Sequence, residues 1–417
     1  MKIALLGNTC NNNFAIMRYF RNLGVSADLF LYSNEANNLD NPIHNPSWDT
    51  WNIDNWSMFI KKLSIPNGIE SIIGRPDLIR TPPNLDEIKY ILSEYDYFIG
   101  SGITPSLFWR INKKMDIFYP YSTGIEWVME GENQKKLKRL NFEWPFRKYI
   151  YYTQLSGIRN AKKVLLGENG LTASVLLKHN IAFENFHPPI YYKENIPEKP
   201  PNALLEKIVL KSKESNFNIF SFVRHSWIYK DAEYLSEKQW SKANKHNDWL
   251  IKGYAKFIKK IDNKKSILFL SLNGRDVMES KKLIHELGIS NRVCWLPLLA
   301  RKEVSFLLKK VAHLGVGQFV NEEGEAWGAT GWECIASGIP FMASINYSEE
   351  SFKNLFGFNL PPHYLNVRTE EDVYDLLLEC YFNLNLYGID SLSNSDWFDK
   401  NSSINQAKKM LNLLIEK

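Results

Sequence analysis

The chain runs twice through the same alternation of apolar strand, small-residue turn and amphipathic helix, and five prolines separate the two runs. Residues 1–7 (MKIALLG) read as a buried strand that stops at a glycine. An asparagine-rich loop, Asn8 to Asn13, follows. Residues 14–23 carry apolar side chains at helical spacing, with Gly24 as the stop, and residues 25–32 read as a second strand. That order opens a doubly wound parallel sheet. Residues 95–100, 115–121 and 161–166 supply further strands, and a helix is predicted at about 171–179. The first two of these strands end in the turns Gly100-Ser101-Gly102 and Ser122-Thr123-Gly124. Pro188, Pro189, Pro197, Pro200 and Pro201 then break regular structure and mark a linker. Beyond it, strands are predicted at 217–223, 266–272 and 293–296, and helices at 248–260, 277–287 and 302–312. The expectation is two Rossmann-like halves.

Composition narrows the class without naming a function. Hydrophobic residues at 44% and charged residues at 23% are ordinary for a globular chain and exclude disordered and collagen-like classes. A net charge of +5, from 51 basic and 46 acidic residues, is too mild to argue for nucleic acid. Cys10, Cys294, Cys334 and Cys380 form no CxxC pair, so neither a zinc site nor a disulfide framework is indicated, and a reducing cytoplasm is expected. The first residues turn polar too early for a signal peptide, and no apolar run reaches the roughly 20 residues that span a bilayer. The histidines show no HxxxH or HxH spacing and no convincing DxD pair stands in a loop, so no metal is expected.

The segment 315–344 (GVGQFVNEEGEAWGATGWECIASGIPFMAS) carries the chemistry. A short strand at 314–319 leads into a polar loop, a helix is predicted to begin near Gly328–Thr330, and Gly338-Ile339-Pro340 ends it. Free N–H groups at a helix start attract anions, and small residues there let a diphosphate approach the backbone. A carboxylate at Glu325 suits paired hexose hydroxyls, and one at Glu333 suits the hydroxyls of a ribose. The plainer reading is that Glu325 complements the helix dipole and Glu333 lies on a solvated face. Against it, Glu333 shares its face with Trp332, Ile335 and Ala336, where an unpaired carboxylate would be costly.

Glu325-Ala326-Trp327-Gly328, then Glu333, then Ala336-Ser337-Gly338-Ile339-Pro340 resembles the E-x7-E signature of family-four retaining glycosyltransferases, which have the GT-B fold. Residues 220–224 (FSFVR) and 245–255 (KHNDWLIKGYA) resemble the donor-domain strand and following helix of that family. Residues 268–300 resemble its next strand, glycine loop and helix. The resemblance covers most of 216–345, and over 1–190 it is a general fold pattern only. It implies an acceptor domain at 1–190, a donor domain at 205–385 and a helical segment at 386–417 returning to the first domain. It implies that Arg224 and Lys245 neutralise the leaving diphosphate, that Glu325 holds the sugar and Glu333 the ribose, and that the amides of Gly328, Ala329 and Thr330 meet the diphosphate. Its implied substrates are a UDP- or GDP-sugar donor and a glycan or lipid-linked acceptor. The implied setting is bacterial surface polysaccharide or lipopolysaccharide assembly, in the cytoplasm or at the inner face of the plasma membrane.

The chain departs from the family in three places. Twenty residues, 225–244, separate Arg224 from Lys245 where the family has a short spacer, so Lys230 is the alternative to Lys245. No histidine stands in Tyr119–Gly124, which leaves Ser122, Thr123 and Glu126 as acceptor-side candidates or as ordinary turn residues. In place of a Gly-Gly pair after the first strand stand Gly7, Asn8 and the asparagines through Asn13. With Asn12 these are donor- or acceptor-side donors, or a cluster of turn and helix-capping residues. His225, next to Arg224, faces donor phosphate or is structural. Residues 135–152 interleave six basic side chains with six aromatics, which suits an anionic membrane surface or a solvated helix face. The alternatives to a transferase are a GT-B nucleotide-sugar epimerase and a degenerate sugar-nucleotide-binding protein. A phosphorylase lacks its lysine-bound cofactor motif here. A dinucleotide oxidoreductase lacks G-x-G-x-x-G after the first strand.

Overall fold

A computed structural model describes residues 1–32, 44–63, 84–120, 125, 144–167, 171–228, 244–261, 265–320, 328–345, 347–383 and 391–416. The chain divides into two compact units, residues 1–192 with 402–417, and residues 193–401.

The first unit is built on a seven-stranded sheet. Its strands are β1 (Lys2–Leu6), β2 (Ser26–Tyr32), β3 (Ile60–Leu63), β4 (Tyr97–Gly100), β5 (Ile117–Phe118), β6 (Lys163–Leu166) and β7 (Glu184–Asn185). Their order is β3-β2-β1-β4-β5-β6-β7, all parallel. Helices lie on both faces, which is why β1 reads as an unbroken apolar run rather than an alternation. Ile3 and Leu5 pack beneath helix Asn12–Asn22, while Ala4 and Leu6 join the core on the other face. Helix Ile404–Ile415 completes that first face by laying Ala407, Met410 and Leu414 against Phe14, Met17 and their neighbours. Gln406 Nε2 also donates to the His187 carbonyl at 2.9 Å. The return to the first unit begins at Ser402. Helix Ser391–Asn401 stays in the second unit, where Trp397 and Phe398 pack on Trp332.

The second unit holds β8 (Phe217–Ser221), β9 (Ser266–Ser271), β10 (Val293–Leu296), β11 (Leu314–Val316), β12 (Phe341–Ala343) and β13 (Tyr364–Asn366). They run parallel in the order β10-β9-β8-β11-β12-β13. Counted from its own first strand, that order is the doubly wound 3-2-1-4-5-6. Its core stacks Phe217, Ile219 and Leu268 against Leu250, Tyr254 and Phe257 of helix Asn247–Lys260. No helix among the described residues is long and apolar enough to cross a membrane.

Candidate functional site in the second unit

In an open parallel sheet, ligands lodge outside the carboxyl ends of the strands where the winding reverses. In the second unit that point lies between β8 and β11, which pair directly. The residues leaving β8 are Phe222, Val223, Arg224 and His225. Arg224 is exposed three residues past the strand, and His225 is buried.

The loop after β9 fastens this segment. His225 N–H donates to the Asn273 carbonyl at 2.7 Å, and Asp276 N–H donates back to the His225 carbonyl at 3.1 Å. The backbones approach so closely at Gly274 (φ +112°) that a Cβ there would lie 2.3 Å from the His225 oxygen, so only glycine fits. The buried Asp276 carboxylate accepts the Trp227 and Ile228 N–H groups on one oxygen, at 2.5 and 2.7 Å. Ser280 Oγ accepts from Trp227 Nε1 at 2.9 Å and lies 2.8 Å from His225 Nδ1. The His225 ring thus points into the protein, near Trp295, and its Nε2 meets no hydrogen-bonding partner among the described residues. Burial holds its pKa down at about 4 against the pull of Asp276, so the ring is neutral. Of the two sequence readings of His225, the structural one is what the geometry supports.

Lys245 ties the ends of the two switch-point strands together. Its N–H donates to the Ser226 carbonyl at 2.8 Å, its carbonyl accepts from Phe319 N–H at 3.3 Å, and its Nζ donates to Gln318 Oε1 at 2.5 Å. Ser226 follows β8, whereas Gln318 and Phe319 follow β11. His246, the next residue, is left-handed at φ +45°, an uncommon state for a side chain that is not glycine. Asn247 Oδ1 then takes the Ser226 N–H at 3.0 Å. Lys230, the alternative, lies outside the described residues.

Helix Gly328–Ser337 begins with Gly328 at φ +62°, followed by Ala329 and Thr330, all partly exposed. Within the helix Glu333 is only 8% exposed, and its Oε1 accepts from Arg301 Nε at 3.0 Å. A solvated-face role is therefore excluded, and the carboxylate's cost of burial is offset by a charged partner. Glu325 lies outside the described residues, as do Ser122, Thr123 and Glu126.

In the first unit the asparagine loop spends most of its amides on itself. Asn8 Oδ1 accepts the Phe14 N–H at 3.1 Å, and Asn8 Nδ2 donates to Asn11 Oδ1 at 2.8 Å and to the His44 carbonyl at 3.0 Å. Asn13 Nδ2 reaches the carbonyls of Leu6 and Gly7, and its Oδ1 accepts from Tyr119. Gly7 has φ +79°, with Ser101 and Tyr32 pressed against the place of a Cβ. Asn12 is 1% exposed and its amide meets no partner among the described residues. For Asn8, Asn11 and Asn13 the turn-and-cap reading is the one the bonds support. Of the basic and aromatic stretch 135–152, residues through 143 lie outside the described ones. Beyond them Tyr149 and Tyr152 are 42% and 57% exposed beside exposed Lys148, and Tyr152 meets Trp109 edge-on.

Sequence reasoning missed Asp276, Ser280, Gln318 and Arg301. Each acts through one atom at one place, and no spacing rule marks such residues.

No protein-family model matches the chain, and no curated protein matches it in sequence. Solved structures do resemble it. HepE from Anabaena in complex with UDP is 12% identical over 99% of this chain and 98% of its own, with a TM-score of 0.58. A glycosyltransferase from Rickettsia africae is 15% identical over 99% and 97%, with a TM-score of 0.56. S. aureus TarM, solved as a mutant with UDP and α-GlcNAc-glycerol among its ligands, is 12% identical over 100% of both chains, with a TM-score of 0.54. At these identities the likeness is one of fold, and the fold is that of the GT-B glycosyltransferases.

Proposed function

We propose that the chain is a glycosyltransferase that moves a sugar, with retention of configuration, from a nucleotide-sugar donor to a glycan or lipid-linked acceptor. The observation that carries this reading is Lys245. It joins the ends of β8 and β11 at the point where an open sheet receives its ligand, two residues of backbone from the exposed Arg224 segment. Two cations at that edge suit a leaving diphosphate.

The donor diphosphate is met by Arg224, Lys245 and the amides of Gly328, Ala329 and Thr330, with nothing acidic in the first turn of that helix. Glu333, held by Arg301, accepts from the ribose hydroxyls with its second oxygen. Glu325 is assigned the sugar by the motif alone. Gly7 and Asn8 are assigned to the donor, and Asn12, Ser122, Thr123 and Glu126 to the acceptor, on the sequence reading alone. In the reaction the bond between the anomeric carbon and the phosphate oxygen breaks. The acceptor oxygen bonds that carbon on the same face, and its proton passes to the departing phosphate. No metal is required, because the two side-chain cations take the place of one.

UDP is the favoured nucleotide, since HepE and TarM were both solved with it. Bacterial surface polysaccharide or lipopolysaccharide assembly is the proposed setting. There the exposed Lys148, Tyr149 and Tyr152 would meet an anionic inner leaflet. The test is a screen of UDP-, GDP-, ADP- and CMP-sugars, followed by thermal shift and nucleotide release with and without EDTA. One donor should raise the melting temperature and be slowly hydrolysed, unchanged by EDTA, and Arg224→Ala should abolish both effects. Well-folded protein that responds to no donor would sink the reading.

A further inference from the structure

We infer that His246 is a positioning residue for Lys245: its left-handed backbone turns the chain into the following helix while keeping Lys245 across the ends of β8 and β11. The inference deepens the proposed function and rests on its assignment of Lys245 to the diphosphate.

The backbone of Lys245 is held on two sides. Its N–H donates to the Ser226 carbonyl at 2.8 Å, and its carbonyl accepts from the Phe319 N–H at 3.3 Å. Helix Asn247–Lys260 begins immediately after His246, so that residue alone makes the turn from the bridge into the helix. A residue capping a helix start is ordinarily extended. His246 instead has φ +45° and ψ +44°. In that state the Cβ of an L residue crowds the neighbouring backbone. Such outliers persist only where the surroundings hold them, and they collect at functional sites.

Three rings and three hydrogen bonds do the holding here. The His246 imidazole lies on Trp249, with centroids 4.4 Å apart and planes 30° apart. Trp249 in turn stacks on Phe319 at 6.3 Å and 21°. Phe319 is buried, and its N–H is the one that takes the Lys245 carbonyl. The circuit is closed: it runs from His246 through two rings to Phe319, and back by one hydrogen bond to the residue before His246. The peptide groups on both sides of the turn are fixed as well. The His246 N–H donates to Asn244 Oδ1 at 2.9 Å, and the His246 carbonyl accepts from the Trp249 N–H at 3.0 Å. The rings thus offset the cost that a side chain meets in the left-handed state. Glycine meets no such cost, and a β-branched residue meets the largest. Losing the turn would swing the peptide that joins Lys245 to His246 and pull the lysine off the end of β11.

The experiment compares His246→Gly, His246→Ala and His246→Val on the full chain, each alone and again in the Lys245→Ala background, by calorimetric titration of UDP and by donor turnover. All three discard the ring, but they differ in how readily they turn left-handed. If the turn is what matters, affinity follows that order. His246→Val should weaken UDP by about tenfold and lower kcat/KM to match, His246→Ala should lose less, and His246→Gly should stay within about threefold of the parent. In the Lys245→Ala background, His246→Val should change affinity by less than about twofold, because the residue acts through the lysine. A His246→Val protein that binds UDP as well as the parent would overturn the inference. So would a loss of equal size in the Lys245→Ala background, because His246 would then act on ligand or fold by itself. A His246→Gly protein weaker than His246→Ala would overturn it too, since the ring rather than the turn would then be decisive. Should His246→Val not fold, the glycine and alanine variants answer the same question between them. If Lys245→Ala binds UDP undiminished while Arg224→Ala does not, the assignment of Lys245 is wrong and the inference falls with it. If Lys245→Ala is impaired and neither His246→Val nor His246→Ala is, only the inference falls.

Discussion

Asp276 is the side chain on which the segment after β8 most depends. One of its oxygens takes the N–H groups of both Trp227 and Ile228, and its own N–H closes on His225. Asp276→Ala would leave two part-buried backbone donors without their carboxylate. It should cost roughly 2–4 kcal/mol in urea unfolding, and it should weaken nucleotide binding by freeing Arg224 from its mount. A variant as stable as the parent, with unchanged nucleotide affinity, would show that the carboxylate is not the anchor. Arg224, Lys245 and Glu333 stood out in the sequence as candidates because they fall in stretches that resemble a family pattern. Asp276, Gln318 and Arg301 did not. A single polar residue in a loop or at a helix start is commonplace, and only the bond it makes distinguishes it.

Strands and helices were legible in proportion to how much apolar surface each must bury. β1, β2, β8 and β9 are covered on both faces, and their continuous apolar runs announce them. β7, β12 and β13 span two or three residues each, and too few side chains alternate or repeat there to form a pattern. Contacts between elements are hidden more deeply still. Helices Thr104–Arg110 and Trp144–Arg159 cross at Gly157, where a Cβ would come within 1.9 Å of the Pro105 carbonyl oxygen. Nothing local in the sequence marks that glycine. Gly157→Ala should force the helices apart and cost about 1–3 kcal/mol or more, visible as a lowered melting temperature. An unchanged melting temperature would mean that the crossing is looser than described. The end of the chain shows the same limit. Residues 386–417 read as one returning segment, yet Trp397 and Phe398 pack against Trp332 and keep helix Ser391–Asn401 in the second unit, so that only the stretch from Ser402 returns.

Each unit buries a neutral histidine, and together these make stability depend on pH. Burial holds His187 and His225 at about 4, below the 6.5 that an unfolded imidazole returns to. Between those values the unfolded chain binds protons that the folded chain refuses. The contribution to stability is therefore complete above about 6.5 and is lost as pH falls toward 4. Urea midpoints should fall between pH 7 and pH 5, and His225→Asn should flatten that slope. A slope unaltered in the variant would mean that the ring is not shielded. The two units also repeat one winding, since both sheets run outward from their first strand in the same order and both place a glycine- or arginine-bearing loop at the reversal. That repetition was legible from the doubled alternation around the prolines. The bonds that brace the loops at the reversals, such as those of Asp276 to the segment after β8, were not, because each rests on one polar residue. The most direct test is therefore calorimetric titration of UDP into the parent protein and into Arg224→Ala and Glu333→Ala. Saturable one-to-one binding that falls by about tenfold or more in each variant, with Arg224→Ala melting as the parent does and Glu333→Ala lower because Arg301 loses its buried partner, is the result this account predicts. Binding equally tight in all three proteins, or none in the parent, would contradict it.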